Sequence, residues 1–174
     1  VYQAKNCNLE KCFSSFPNVT FIDTPIPVYG RIVKYFIGLA YWHKVFKHTH
    51  FDLYEGFHLP FVSSPSKIDI LTIHDIRGVT PDKGWSERLL FGSVLARSLR
   101  NADCIVTVSE AMRQEILEFQ PDLDVSVIYN GLDIEAFTGV NDHDLAEVKA
   151  ALKLPAQFIL TVGHFETRKN YFRL

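Results

Sequence analysis

Short apolar runs recur along the second part of the chain: "IDILTI" (residues 68–73), "CIVTV" (104–108), "VSVIY" (125–129) and "FILTV" (158–162). Each is apolar on successive positions and rich in β-branched residues, which suits strands of a parallel sheet covered by helices. Between the runs the apolar period lengthens to that of a helix. "SERLLFGSVLARSLRNA" (86–102) stripes Leu90, Val94, Leu95 and Leu99 and leaves Glu87, Arg88, Arg97 and Arg100 for water. "SEAMRQEILEF" (109–119) opens on Ser109 as an N-cap, has Glu110 in its first turn to suit the helix dipole, stripes Met112, Ile116 and Phe119, and stops at Pro121. "DLAEVKAALKL" (144–154) stripes Leu145, Val148 and Leu152 ahead of Pro155. The alternation predicts a doubly wound α/β fold with a parallel sheet.

Residues 1–60 are less regular. "NVTFI" (18–22) is a strand candidate, and the two prolines of "TPIPVYG" (24–30) make it a loop. "RIVKYFIGLAYWHKVFKH" (31–48) predicts an aromatic helix with Ile32, Tyr35, Phe36, Leu39, Trp42 and Phe46 on one face and Arg31, Lys34, Lys44, Lys47 and His48 elsewhere. Two readings stand: a helix packed on the sheet, or a basic amphipathic helix in peripheral contact with an anionic membrane.

A length of 174 residues allows one domain with a real core and the start of another. Pro155 opens a short linker, so the expected boundary divides residues 1–154 from residues 155–174. Eighteen Lys plus Arg against 20 Asp plus Glu give a net charge of -2, which supplies no field to gather nucleic acid. Cys7, Cys12 and Cys104 are odd in number and fit reduced thiols in a cytoplasmic protein, with a Cys7–Cys12 pair as the alternative. No run reaches the ~18 uninterrupted apolar residues of a membrane span, and the basic-then-apolar layout of a signal peptide is missing. The chain opens at Val1 without a methionine, so both ends are expected to be cut from something longer.

Ligands of open parallel sheets bind beyond the carboxyl ends of the strands, and here those positions are polar. His74 and Asp75 follow the first run, Ser109 and Glu110 the second, Asn130, Gly131 and Asp133 the third, and Gly163, His164, Arg168 and Lys169 the fourth. His74 suits a cleft-floor imidazole that bonds a sugar hydroxyl or exchanges a proton, and equally a strand-end histidine tied to backbone. The loop after it (76–85) has two glycines and a proline and suits either a lid or a solvated connection. Ser109 is explained by capping, and Asn130 with Gly131 by a tight turn needing positive φ. Gly163 would let backbone approach a ligand. Asn170 could cap a helix from Tyr171, and the basic pair Arg168 and Lys169 would then complete a diphosphate site. Two solvated charges are the plain alternative. His43, His48 and His50 lack a carboxylate or cysteine at ligand spacing, so no metal site is expected. Dinucleotide, phosphate-loop and nucleophile-elbow motifs are also missing.

Taken in order, "ILTIHDIRG" (70–78), "LARSLRNADCIVTVSEAMRQEI" (95–116), "VIYNGLDIEAF" (127–137) and "ILTVGHFETRKN" (159–170) resemble glycosyltransferase family 4, retaining enzymes of the GT-B fold. The likeness covers residues 68–174, and "FDLYEGFHLPF" (51–61) looks like the strand and loop preceding the family's histidine motif. The resemblance implies two Rossmann-like domains, each a parallel sheet with helices on both faces. The N-terminal one would bind a glycan or lipid-linked acceptor, and the C-terminal one a nucleotide-sugar. It implies that His74, with Asp75 beside it, is the cleft histidine near the transferred sugar, and that Gly163, His164, Arg168 and Lys169 hold the donor diphosphate. Ser109, Glu110, Asn130 and Gly131 fall in its cleft or interdomain turns. It implies a hexosyltransferase, mannose being one candidate sugar, in polysaccharide biosynthesis, with no cofactor beyond the nucleotide-sugar. His164 stands where relatives often carry arginine or a small residue, and the family's later glutamate pair would lie past Leu174, so this chain is expected to be inactive alone. A nucleotide-sugar epimerase, a sugar phosphorylase and a catalytically silent GT-B-like subunit are the rival readings.

Overall fold

The computed structural model describes residues 1–4, 9, 16–27, 31–57, 59–79, 84–139, 141–163 and 169–173, without the side chains of residues 31, 32, 77, 136, 137 and 142. The chain divides into two compact units, Val1–Asn130 and Gly131–Leu174.

The first unit is built on a four-stranded parallel sheet, β3 (Leu53–Gly56), β4 (Ile68–Ile73), β5 (Cys104–Thr107) and β6 (Val125–Val127), in that spatial order. Short strands β1 (Tyr2–Gln3) and β2 (Ile22–Asp23) form a separate parallel pair. Helices α1 (Arg31–Phe46), α2 (Trp85–Asn101) and α3 (Glu110–Phe119) flank these strands. The fold is α/β with a parallel sheet flanked by helices, as the alternating pattern predicts.

The core lies where the sheet meets α2 and α3. Leu71, Ile73 and Ile105 from the strands pack with Leu95 and Leu99 of α2 and Ile116 of α3. Removing such side chains from water stabilises by ~1.5–3 kcal/mol each. Asp69 is buried inside the otherwise apolar β4 because its carboxylate accepts from the hydroxyls of Ser63, Ser64 and Ser66 and from the Ser64 N–H. A buried charge without such donors would cost several kcal/mol. Ser98, fully buried on α2, accepts from the Phe61 N–H at 2.9 Å and donates to the Val94 carbonyl at 2.8 Å, tying the loop before β4 to the helix.

Three expected stripes are corrected. On α1, Trp42 is buried and stacks on Phe46, but Phe36 (63%) and Leu39 (38%) face solvent. Two aromatic ridges cannot both face the sheet, and the one through Trp42 packs on Tyr2 and Tyr54. On α2, Ser98 takes the inward position with Leu95 and Leu99, so Leu90 turns out, 55% exposed. On α3, Ile116 is fully buried while Phe119 reaches the exposed edge.

The second unit holds α4 (Glu135–Thr138), α5 (Asp142–Ala151) and a 3-10 turn at Tyr171–Arg173. Helix α5 begins two residues before the expected Asp144, because Asn141 accepts the Asp144 N–H at 2.9 Å and caps it. At its far end Leu154 N–H reaches Lys149 O and Lys153 N–H reaches Ala150 O, with Lys153 in the left-handed region, the paired bonds of a Schellman cap. The strand expected at 158–162 does not form. No described segment pairs with it, and Ile159 (89%) and Val162 (86%) lie in solvent. The α5 stripe of Leu145, Val148 and Leu152 is exposed too.

Cys104 is a free, exposed thiol, while Cys7 and Cys12 lie outside the described residues. Among the described residues no helix is long and apolar enough to cross a membrane.

Candidate functional site

The register of the sheet levels three strand tips. Ile73 pairs with Thr107 and Thr107 with Val127. The Thr107 hydroxyl donates to the Ile73 carbonyl at 2.9 Å, and the Ile128 N–H donates to the Thr107 carbonyl at 2.8 Å. His74, Val108 and Ile128 therefore emerge side by side on the carboxyl edge, each strand ~4.8 Å from the next. This edge is where open parallel sheets take ligands.

His74 and Asp75 are exposed and line a hollow of about 240 Å³ whose walls include Phe57, Ile76, Gly78 and Phe91. The Phe57 ring stands 6.3 Å from the imidazole, tilted by 39°. One wall depends on a glycine. A Cβ at Gly78 would lie 2.5 Å from Phe91 Cγ, so only glycine lets the 3-10 turn Arg77–Val79 close against α2. Thr72, one residue before the strand tip, donates to Glu55 on β3 at 2.7 Å. Such a site offers an imidazole donor or acceptor and an adjacent carboxylate to a polar ligand, against an aromatic wall. In the loop that follows, residues 80–83 lie outside the described residues.

The Ser109 hydroxyl accepts the Met112 N–H at 3.2 Å and caps α3. Glu110 meets the Arg113 guanidinium at 2.6 Å, and Arg113 Nε donates to the Val125 carbonyl at 3.1 Å. Glu110 thus helps to hold the arginine that ties α3 to β6. Asn130 ends the first unit and Gly131 begins the second, both exposed. Neither takes positive φ, and a Cβ at Gly131 would meet nothing within 4 Å. The turn requiring positive φ expected here is therefore corrected: the backbone leaves β6 without a left-handed residue.

In the second unit, a Cβ at Gly163 would lie 2.5 Å from the Tyr171 hydroxyl and 3.9 Å from Lys169 Cε, so the fold brings Gly163 and Lys169 together. His164 and Arg168 lie outside the described residues. Asn170 takes φ of 55° and its carbonyl accepts from Arg173 N–H at 3.0 Å. The helix expected from Tyr171 is one 3-10 turn among the described residues, too short for aligned peptide dipoles to sum into an anion site.

Sequence reasoning missed Phe57, Gly78 and Phe91 as walls of the His74 hollow. Phe57 and Phe91 sit in stretches whose periodicity marks them only as apolar. Gly78 carried a signal, a glycine four residues past a strand-tip histidine, but in a loop that suits either a lid or a solvated connection its packing role is not legible.

A model of the family described as Glycosyltransferase Family 4 matches residues 10–136. No curated protein and no solved structure matches the chain.

Proposed function

Since the chain belongs to Glycosyltransferase Family 4, we propose that it is the acceptor-side part of a retaining hexosyltransferase that moves a sugar, mannose being one candidate, from a nucleotide-sugar to a glycan or lipid-linked acceptor. The observation that carries this reading is the levelled set of parallel strand tips, with His74 and Asp75 opening into one hollow.

In the proposed reaction the bond from the anomeric carbon to the diphosphate oxygen breaks, and its electron pair stays on the departing phosphate. The acceptor oxygen bonds to the anomeric carbon from the same face, and its proton passes to that phosphate oxygen. His74 orients the transferred sugar and acceptor through hydrogen bonds, with Asp75 beside it. Arg168 and Lys169, with His164 and the close backbone approach at Gly163, balance the charge that grows on the leaving diphosphate. Preorganised cations act most strongly where charge develops in the transition state. The donor residues 155–174 are proposed to begin the nucleotide-sugar domain.

The test is sugar transfer by the parent protein from GDP-mannose or UDP-glucose, paired with calorimetry of the free nucleoside diphosphate. His74→Ala should lower turnover by on the order of 10²-fold or more and leave diphosphate affinity unchanged. Arg168→Ala with Lys169→Ala should weaken that affinity at least tenfold. Wild-type turnover in the first variant would remove His74 from the mechanism, and wild-type affinity in the second would remove the basic pair.

A further inference from the structure

Glu55 stands inside β3, where glutamate is a disfavoured residue, and it is exposed. It pairs with Ile70 of β4, so its side chain shares the sheet face of Ile70 and, by the two-residue period, of Thr72 and His74. The hydroxyl of Thr72, a residue only 6% exposed, donates to Glu55 Oε1 at 2.7 Å. That bond anchors one carboxylate oxygen and leaves Oε2 without a partner among the described residues. Phe57, two residues further on, is 57% exposed and belongs to the wall of the His74 hollow. It also lines a second hollow of about 670 Å³, which Glu55 shares. The two hollows therefore adjoin at Phe57, with His74 lining one and Glu55 the other.

An exposed aromatic ring between an imidazole and an anchored carboxylate suits a pyranose. The negative face of the ring attracts the polarised C–H bonds of a sugar, and a carboxylate oxygen accepts strongly from a hydroxyl. An ionised carboxylate only accepts. It therefore favours a ring carrying a hydroxyl at that position over one that lacks it, because its oxygen is then left unpaired. We infer that Glu55 is a specificity-determining residue for the sugar ring seated at His74, taking one ring hydroxyl on Oε2 while Thr72 holds Oε1. The inference rests on the glycosyl-transfer reading for the ring's being a substrate; the juxtaposition of His74, Phe57 and Glu55 stands without it.

The experiment titrates the 174-residue chain with the methyl glycosides of glucose, mannose and galactose and with their monodeoxy analogues, followed by amide shifts in nuclear magnetic resonance. At least one parent glycoside should bind saturably, with shifts concentrated at Glu55, Phe57 and His74. Removing one particular hydroxyl from it should weaken binding about tenfold, the loss of one hydrogen bond to a charged group. Glu55→Ala, at an exposed position and so compatible with folding, should weaken the parent glycoside by the same factor at an unchanged thermal transition. That variant should no longer distinguish the parent glycoside from the deoxy analogue. Thr72→Val, which releases Oε1, should weaken the parent glycoside several-fold. In the parent protein, Glu55→Ala should raise the KM of the substrate that carries the ring, whether acceptor or nucleotide-sugar, and so tell the two apart. Absence of saturable glycoside binding overturns the inference, and so does full discrimination against the deoxy analogue in Glu55→Ala. An unchanged KM for both substrates overturns it as well. Failure of sugar transfer in the parent protein is a separate result: with Glu55-dependent glycoside binding intact, it would count against the transfer reading alone.

Discussion

Tyr54 joins three parts of the first unit at one side chain. Its ring stacks on Phe61 at 5.4 Å and meets Trp42 and Phe46 of α1 at 5.7 and 5.1 Å. Burial pushes its phenol well above the ordinary value of 10.0, and the Asp69 carboxylate adds to the shift. In the unfolded chain the same phenol titrates near its ordinary value. The neutral phenol therefore contributes fully to stability below about pH 10, and that contribution is lost as pH rises toward the folded value. Urea unfolding at pH 8, 10 and 11 should show stability falling above pH 10 by up to about 1.4 kcal/mol per pH unit from this group. Tyr54→Phe should remove that share of the slope, while an unchanged slope would mean that the phenolate reaches water. At this scale the sequence was only partly legible. Asp69 inside "IDILTI" breaks an apolar run, and the serines of "SSPS" just ahead of it are the residue type that supplies short-range donors. Which aromatics of residues 31–48 face inward could not be read, because apolar side chains occupy nearly the whole helix circumference and tertiary packing chooses among them.

At the scale of elements, α3 was the most legible, since cap, first-turn acid and stopping proline all agree. Its boundaries follow from Ser109, whose hydroxyl takes the Met112 N–H. Ser109→Ala should lower stability by about 1 kcal/mol, read from the urea midpoint, whereas Ser109→Asp should hold it, since aspartate caps equally well. If Ser109→Asp instead destabilised as much as alanine, the hydroxyl would be serving something other than the helix end. Strands β4, β5 and β6 were legible for a related reason: strands of a parallel sheet covered by helices are predominantly apolar, and few other segments of the chain are. The run at 158–162 has the same composition without the outcome. Composition reports that a segment can be buried, but a ladder needs a neighbour whose backbone groups are free to pair, and the described residues of the second unit supply none.

For the whole molecule, every residue of the main core cluster falls between Phe61 and Val125. The second unit, by contrast, exposes Leu145, Val148, Leu152, Ile159 and Phe172. Hydrophobic burial dominates folding free energy, so cooperative stability should reside almost entirely in Val1–Asn130. The candidate site divides along the same line: the described lining of the His74 hollow lies in the first unit, while Gly163 and Lys169 belong to the second. A chain ending at Asn130 is expected to keep a single cooperative thermal transition, with its midpoint within a few degrees of that of residues 1–174. The basis is that 1 kcal/mol shifts the midpoint of a domain of this size by roughly 4 °C, and the excised segment contributes nothing to that cluster. Nucleoside diphosphate binding should not survive the cut, since the proposed basic pair is removed with the second unit. Loss of the cooperative transition on truncation would show instead that residues 131–174 carry part of the folding free energy.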